Sequence, residues 1–356
     1  MITKMILSRY KEIMSEYERV IGAKSLKNAW HKVRKNKPAA GVDDVTCDDY
    51  EENLKAELTQ LHNELYEHTY QVMPVKLVKL VREEKLREVS LYTMRDKVVQ
   101  AALSELLVGR YDDTFSECAY AYRRDKSALA AIDCIDEEVT SEKWKYVFKT
   151  DISAFFDNIN LEKIYDRLMK DIKEIDVVEL VMMHLRAPSV NIYGELVEKQ
   201  VGVYQGASIS PVLSNLYLRE FDLNIEKEGL FYIRYADDMV ILAESMEQIN
   251  RVSNVMEALL KDLGLELNER KSYVRNIEEG FEFLGYQFSA NGRAIPKKAK
   301  DKLETSLEDV WLTMKDATLD EKLRKGCQIM NGWEQYFRGE RPIGSLYEYV
   351  VIWGHK

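Results

Sequence analysis

Two aspartates stand side by side at Asp237-Asp238, between the apolar runs Phe231-Tyr232-Ile233-Arg234-Tyr235 and Met239-Val240-Ile241-Leu242. Two β-rich runs this close predict a hairpin with adjacent carboxylates at its tip. A third acid, Asp151, directly follows Tyr146-Val147-Phe148-Lys149-Thr150, which predicts a short buried strand. A polar pair at a turn is by itself an ordinary solvent-facing feature. If the two strands are neighbours in one sheet, however, three carboxylates converge. Like charges so close raise one another's pKa unless a cation offsets them. Clustered hard oxygens suit Mg²⁺, which keeps some waters and takes phosphate oxygens as further ligands. Two such ions about 4 Å apart can activate a hydroxyl nucleophile and stabilise a leaving pyrophosphate.

The elements that must position these acids can be read around them. With 16 Gly and 6 Pro, no internal repeat and no low-complexity stretch, most residues are expected in regular elements. Residues 1–70 read as helical, with Leu26, Ala29, Trp30 and Val33 on one face and Leu54, Leu58, Leu61 and Leu65 on another. Pro38-Ala39-Ala40-Gly41-Val42-Asp43-Asp44 breaks the pattern as a loop. Residues 72–92 predict a hairpin, its β-rich runs being 75–80 and 86–91 around a charged turn. A helix is expected soon after Asp151 and another over 212–226. Ser245 and Gln248 make a capping-box start for a helix with the apolar stripe Ile249, Val252, Val255, Leu259 and Leu263, stopped by Gly264. About fifty residues at the end again read as helical. The fold class is α+β, a small antiparallel sheet carrying the acids with helices behind it.

A chain of 356 residues suits two or three coupled subdomains rather than one small core. Hydrophobic residues at 46% and charged residues at 31% exclude a disordered chain. No apolar run approaches the ~20 residues of a membrane span. Met1 to Arg9 lacks the apolar core and cleavage site of a signal peptide, so a cytoplasmic location is expected. Cys47, Cys118, Cys134 and Cys327 are scattered and expected to be free thiols. His31, His62, His68, His184 and His355 have no partner pattern, which leaves a Ser-His-Asp or Cys-His nucleophile without support. The net charge of −10 argues mildly against nucleic-acid binding, yet a basic channel can sit in an acidic protein. Arg293-Ala294-Ile295-Pro296-Lys297-Lys298-Ala299-Lys300 is a local basic cluster, either such a surface or a solvated helix start.

The motifs carry a family resemblance. Tyr235-Ala236-Asp237-Asp238 resembles the YxDD box of reverse transcriptases, and Lys149 to Ile159 resembles their DxxxxF box. Gln205-Gly206-Ala207-Ser208-Ile209-Ser210-Pro211 is similar to QGxxxSP, the next box in their order, and Phe283-Leu284-Gly285-Tyr286 resembles the later FLG strand. One YxDD is a weak signal, but four boxes in order over residues 149–286 are specific. Gly41-Val42-Asp43 with its preceding helix resembles the N-terminal extension of group II intron reverse transcriptases. Arg95-Asp96-Lys97-Val98-Val99-Gln100 resembles their DRxxQ helix, Tyr120-Ala121-Tyr122-Arg123 stands at YGFRP, and Gly332-Trp333-Glu334-Gln335-Tyr336-Phe337 resembles the GWxxYF segment of the maturase thumb. The resemblance covers roughly residues 25–340.

It implies a right-hand polymerase. Fingers with the N-terminal extension would occupy 1–135, interleaved with a palm helix at 95–110. The catalytic palm would occupy 136–296 and a helical, maturase-like thumb 297–356. Asp151 and Asp237 would bind two Mg²⁺ ions (Mn²⁺ as the alternative), with Asp238 in support and Ile152 lending its backbone carbonyl. Phe156 would be the steric gate against a ribose 2′-OH, Gln205 and Gly206 would border the incoming nucleotide, and Tyr235 would buttress the primer end. Lys79, Arg87 and Arg123 would grip the triphosphate, arginine through bidentate hydrogen bonds. Lys271 would stand near the leaving pyrophosphate, as general acid or as counter-charge. The expected reaction is RNA-directed DNA synthesis from dNTPs on an RNA template with a DNA or RNA primer.

The chain also departs from the pattern. Tyr92 replaces the proline of the IPT turn and Arg124 the proline after Arg123. No Zn- or HNH-type endonuclease is expected after the thumb, nor room for a DNA-binding domain. The balance is acidic where intron maturases are basic. These departures favour a free-standing relative, associated with CRISPR or phage defence, whose partner is a structured non-coding RNA or a defence protein and not a membrane. The alternatives are a defence polymerase with weakly templated or untemplated synthesis, an RNA-binding maturase-like module, and, more distantly, a palm-fold nucleotide cyclase.

Overall fold

A computed structural model describes residues 14–82, 85–191 and 193–338, with the side chains at 81, 82 and 85–87 outside the described set. In chain order the elements are α1 (Glu16–Ile21), α2 (Ala23–Lys35), α3 (Cys47–Glu52), α4 (Leu54–Tyr66), β1 (Val75–Arg82), β2 (Lys85–Leu91), α5 (Met94–Tyr111), α6 (Ala128–Val139) and β3 (Tyr146–Asp151). There follow α7 (Phe155–Asn158), α8 (Leu161–Asp171), α9 (Ile175–Leu185), β4 (Ser189–Val190), β5 (Leu196–Val197), α10 (Ser210–Glu226), β6 (Phe231–Tyr235), β7 (Asp238–Ala243) and α11 (Met246–Leu263). The last are β8 (Tyr273–Asn276), β9 (Phe281–Phe283), β10 (Tyr286–Ser289), β11 (Gly292–Ala294), α12 (Lys297–Thr313) and α13 (Leu319–Tyr336). Three small sheets run in the orders β2-β1-β4-β5, β6-β7-β3-β8 and β11-β10-β9. Among the described residues no helix is long and apolar enough to cross a membrane.

The chain forms two compact units, and the division between them falls within β3, β7 and α11 and in two connecting segments. The first comprises Met1–Lys126, Thr150–Met239 and Asn250–Ser272. Its N-terminal helices form because their apolar residues recur at helical spacing: α2 buries Leu26, Ala29, Trp30 and Val33. Helix α5, capped by Thr93, is buried along much of its length and carries Asp96 and Gln100 into the interior. The loop at Gly41 lies against the start of α5, where a Cβ would stand 2.6 Å from the Thr93 nitrogen, so only glycine fits. In the β1–β2 pair Lys79 faces Glu88 and Leu80 faces Arg87. Tyr92, the proline replacement, is buried and donates from Oη to the His184 carbonyl at 2.9 Å.

The second unit comprises Ser127–Lys149, Val240–Ile249 and Tyr273–Lys356. Leu303 and Leu307 of α12 form a small core with Trp311, Ile329, Met330 and Trp333. The Gly332–Phe337 stretch closes onto the turn at 284–286, with Tyr336 Oη donating to Leu284 O at 2.6 Å and Tyr286 Oη to Tyr336 O at 3.0 Å. Arg293, first of the basic cluster, is tied to α6, its Nη1 lying 2.6 Å from Asp133 Oδ1. Ser245 Oγ accepts from the Gln248 amide at 3.3 Å, while Gln248 Oε1 accepts from Glu244 N at 2.8 Å, one residue earlier than a regular capping box.

The α11 stripe differs from expectation. It buries Ile249, Val252, Met256, Leu260 and Leu263, and Val255 and Leu259 flank it half-buried. Both stripes run from Ile249 to Leu263 at the same mean step, so the helical repeat does not choose between them; the packing buries Met256 and Leu260 in place of their apolar neighbours. The four cysteines are free, as expected. His355 and the end of the C-terminal helical stretch lie outside the described residues.

Candidate active site

Asp151 ends β3, and the hairpin β6–β7 presents Ala236 and Asp237 as its two connecting residues, with Asp238 opening β7. Ala236 takes the left-handed conformation (φ 59°) that so tight a turn demands. The two acid-bearing segments meet directly: the Ile152 amide donates to the Asp237 carbonyl at 3.1 Å. On its other side Asp151 is wrapped by the loop after α11, where Asn268 N donates to Asp151 O at 2.8 Å, Ile152 bridges Leu267, and Thr150 Oγ1 lies 2.6 Å from Ser272 Oγ. That loop delivers Lys271, whose ammonium contacts Asp151 Oδ2. The hydrogen bond to Asp151 raises the Lys271 pKa, with the charges of Asp151, Asp237 and Asp238 acting in the same direction against burial.

A side chain that sequence reasoning passed over holds the acidic turn. Arg234 is fully buried. Its Nε donates to Asp222 Oδ1 at 2.7 Å and its Nη2 contacts Oδ2, while Nη1 donates to Asn215 Oδ1 at 3.1 Å and to the Ala236 carbonyl at 2.9 Å. Burial alone would lower its pKa, but the Asp222 carboxylate more than reverses this and keeps the guanidinium charged. An arginine inside an otherwise apolar strand run was the available signal.

A cleft of about 940 Å³ opens beside the acids, lined among others by Tyr122, Phe156, Lys199, Gln205, Gly206 and Asp237. Phe156 is half-buried and stacks edge-on against Phe155. Gln205 and Gly206 are held at several points. Gln205 O accepts from Ser90 N at 3.0 Å, Gln100 Oε1 accepts from Ser208 N at 3.0 Å, and Tyr204 Oη donates to Ala187 O at 2.7 Å. Gly206 has φ 107°, and a Cβ there would stand 3.1 Å from Ser90 O, so the loop backbone can approach β2 only with glycine. Behind it His184 is fully buried and pushed down to about 3 by that burial, with Gln100 Nε2 3.3 Å and Tyr70 Oη 3.4 Å from its ring nitrogens. Gln100, Lys199 and the buried His184 are further residues that sequence reasoning left without a role.

Asp151, Ile152, Phe156, Gln205, Gly206, Tyr235, Asp237, Asp238 and Lys271 all lie in the first unit, at the cleft or at its acidic end. Arg123 is not brought there. Its guanidinium is buried against Asp112 Oδ1 at 3.0 Å and the Ser116 carbonyl at 3.0 Å, a local ion pair that consumes the donors expected to grip phosphate. Lys79 is exposed on β1, on the sheet face of Glu88, which lines the cleft. The Arg87 side chain lies outside the described residues.

Among the described residues no three carboxylate, imidazole or thiol groups form a ready-made metal cage. The donor set nonetheless fits a hard cation. Asp151 is buried and its Oδ1 has no hydrogen-bond partner among the described residues, a cost that a cation would relieve. Mg²⁺ is ordinarily held by one or two carboxylates, with water and phosphate oxygens completing its shell.

The fold is that of a right-hand polymerase, and the chain belongs to the reverse transcriptase family: residues 79–288 match the family described as Reverse transcriptase (RNA-dependent DNA polymerase). It is similar to Protein YkfC of Escherichia coli (strain K12), 25% identical over 286 residues that cover 69% of this chain and 75% of that protein. It is also similar to the Group II intron-encoded protein LtrA of Lactococcus lactis subsp. cremoris, 24% identical over 367 residues, 83% of this chain and 60% of that protein. The telomerase of Candida albicans, solved with a TWJ fragment of telomeric RNA, aligns at TM-score 0.53 and 11% identity over 81% of this chain and 58% of that one. That likeness shows the right-hand polymerase fold. The chain thus spans three-quarters of the first relative's length and 60% or less of the other two.

Proposed function

We propose that this chain extends a DNA or RNA primer with dNTPs on an RNA template, using the cleft at Phe156, Gln205 and Gly206 and the acids Asp151, Asp237 and Asp238. The observation that carries the reading is the buried, unpartnered oxygen of Asp151, on a strand end hydrogen-bonded to the turn whose Asp237 lines that cleft. Two divalent ions, Mg²⁺ or Mn²⁺, would supply activation of the primer 3′-OH and charge compensation at the α-phosphate. Asp151 and Asp237 would hold them, with Asp238 and the Ile152 carbonyl in support. Lys271, charged and beside Asp151, would offset the negative charge that develops on the leaving pyrophosphate. The Phe156 ring would close the space a 2′-OH needs, Gln205 and Gly206 would border the nucleotide, and Tyr235 would buttress the primer end. Lys79 and Arg87 remain the phosphate-gripping candidates from β1 and β2, whereas Arg123 braces its own loop. On this reading fingers span 1–135, palm 136–296 and thumb 297–356. Template and primer would be held mainly by phosphate contacts and A-form shape. A structured RNA or a defence protein would supply specificity.

The test is primer extension by purified protein on an annealed RNA template with Mg²⁺, using dNTPs and separately rNTPs, beside Asp237→Ala/Asp238→Ala and Phe156→Ala. Template-length product from dNTPs alone, lost in the acid variant and joined by rNTP incorporation in Phe156→Ala, is expected. Product that ignores the template sequence, or none at all, would overturn the proposal.

A further inference from the structure

We infer that Tyr122 contacts the primer terminus, its ring packing against the last base pair of the primer–template duplex. The inference rests on the polymerase reading above and adds a contact that reading does not contain. Tyr122 lines the cleft with Phe156, Gln205 and Asp237. It is 45% exposed between Ala121, at 1%, and the buried Arg123 side chain. Its backbone sits at φ 62°, a left-handed conformation that a bulky aromatic residue rarely takes. Such strain persists only where the surroundings over-determine it, and it concentrates at functional sites.

The surroundings do so here. Tyr120 N donates to Arg234 O at 2.9 Å, and Arg234 N donates to Cys118 O at 2.8 Å. Asn215 Nδ2 donates to Ala121 O at 2.8 Å, and the same Asn215 accepts from Arg234. Arg123 grips Ser116 O and Ala119 O behind the turn. The segment is therefore fastened to the arginine that holds the acidic turn, and Tyr122 is presented beside Asp237 and Tyr235. Burial raises the Tyr122 phenol pKa, and the nearness of Asp237 and Tyr235 adds to the rise. An aromatic face at the acidic end of the cleft suits the flat surface of a nucleobase, which stacks without sequence preference.

The test places 2-aminopurine at the primer 3′ end, annealed to RNA, and compares wild type, Tyr122→Phe, Tyr122→Gly and Asp237→Ala. Wild type, Tyr122→Phe and Asp237→Ala are expected to quench the fluorescence. Tyr122→Gly should lose the quench and raise KM for primer–template about tenfold, within the range an aromatic–base stack contributes. Glycine relieves the left-handed strain, so its melting temperature should hold or rise while primer use falls; a merely structural tyrosine would lose both together. Unchanged quenching in Tyr122→Gly, or a rise in KM confined to the dNTP, would overturn the contact even if wild type polymerises. A wild type that quenches through Tyr122 yet extends nothing would overturn the polymerase reading and leave the contact standing.

Discussion

Replacing Arg234 by methionine strands the Asp222 carboxylate, which is 1% exposed, without its cationic partner. Breaking a buried ion pair by removing one member costs about 3–5 kcal/mol. Tyr232 Oη still donates to Asp222 Oδ1 at 2.8 Å, so the lower end applies, a fall in Tm of roughly 5–10 °C. A second change, Asp222→Asn, removes the stranded charge, keeps an acceptor for Tyr232, and should recover most of that loss. It cannot restore the donor that Arg234 gives to the Ala236 carbonyl. The turn carrying Asp237 then loses its buried brace, and a displacement on the order of 1 Å at reacting groups costs about a hundredfold in rate. Thermal melts and single-nucleotide extension on the four proteins of the cycle separate the two effects. The double variant should be nearly as stable as wild type and about a hundredfold slower. Recovery of stability and rate together would refute the idea that Arg234 sets the turn, and a single-variant cost below about 1 kcal/mol would refute the buried pair itself.

Three further outcomes are expected. Lys271→Met removes the ammonium that occupies Asp151 Oδ2, so half-maximal activity should need less Mg²⁺ while kcat falls; a higher Mg²⁺ requirement would contradict the competition. His184 is held neutral with a folded pKa of about 3, below the unfolded value of about 6.5. Between these values the unfolded chain binds the proton, so stability should fall as pH drops, by up to about 1.4 kcal/mol per unit. Asp96, raised by burial despite its hydrogen bonds to Thr93 and Tyr70, opposes this slope; denaturant melts of His184→Gln should show a flatter acid limb. Gln100→Leu deprives the Ser208 amide of its acceptor and should raise the dNTP KM several-fold, the worth of about one hydrogen bond, with little change in kcat; equal losses in both would make Gln100 merely structural.

The acid-bearing hairpin was legible because two β-rich runs with a three-residue gap admit few other structures, and β6 and β7 fall where those runs lie. Asp151 was legible as the end of a strand. What joins it to the hairpin is a contact between residues far apart in sequence, which periodicity does not encode. Family motifs supplied that step, and Gln100 shows their limit: its motif was visible, but its bond to Ser208 spans 108 positions. Arg123 misled because residue type announces charge and not partner, and Asp112 stands ready eleven positions earlier. The α11 stripe slipped by one residue because Val255-Met256 and Leu259-Leu260 each offer two apolar choices to one face.

The unpartnered oxygen of Asp151 has a consequence for how variants of this protein would sort under selection. A buried carboxylate with one bare acceptor makes the cation-free fold less stable than it could be. Replacing it by an apolar side chain, as in Asp151→Leu, removes the bare acceptor and releases the half-exposed Lys271 to solvent, and a screen that rewards folding alone would gather such changes. The same screen run in millimolar Mg²⁺ should discard them, because an ion bound only by the folded protein stabilises it by mass action. The survivors of the two screens would diverge at this one residue, and the divergence would trace the metal site with no catalytic assay at all.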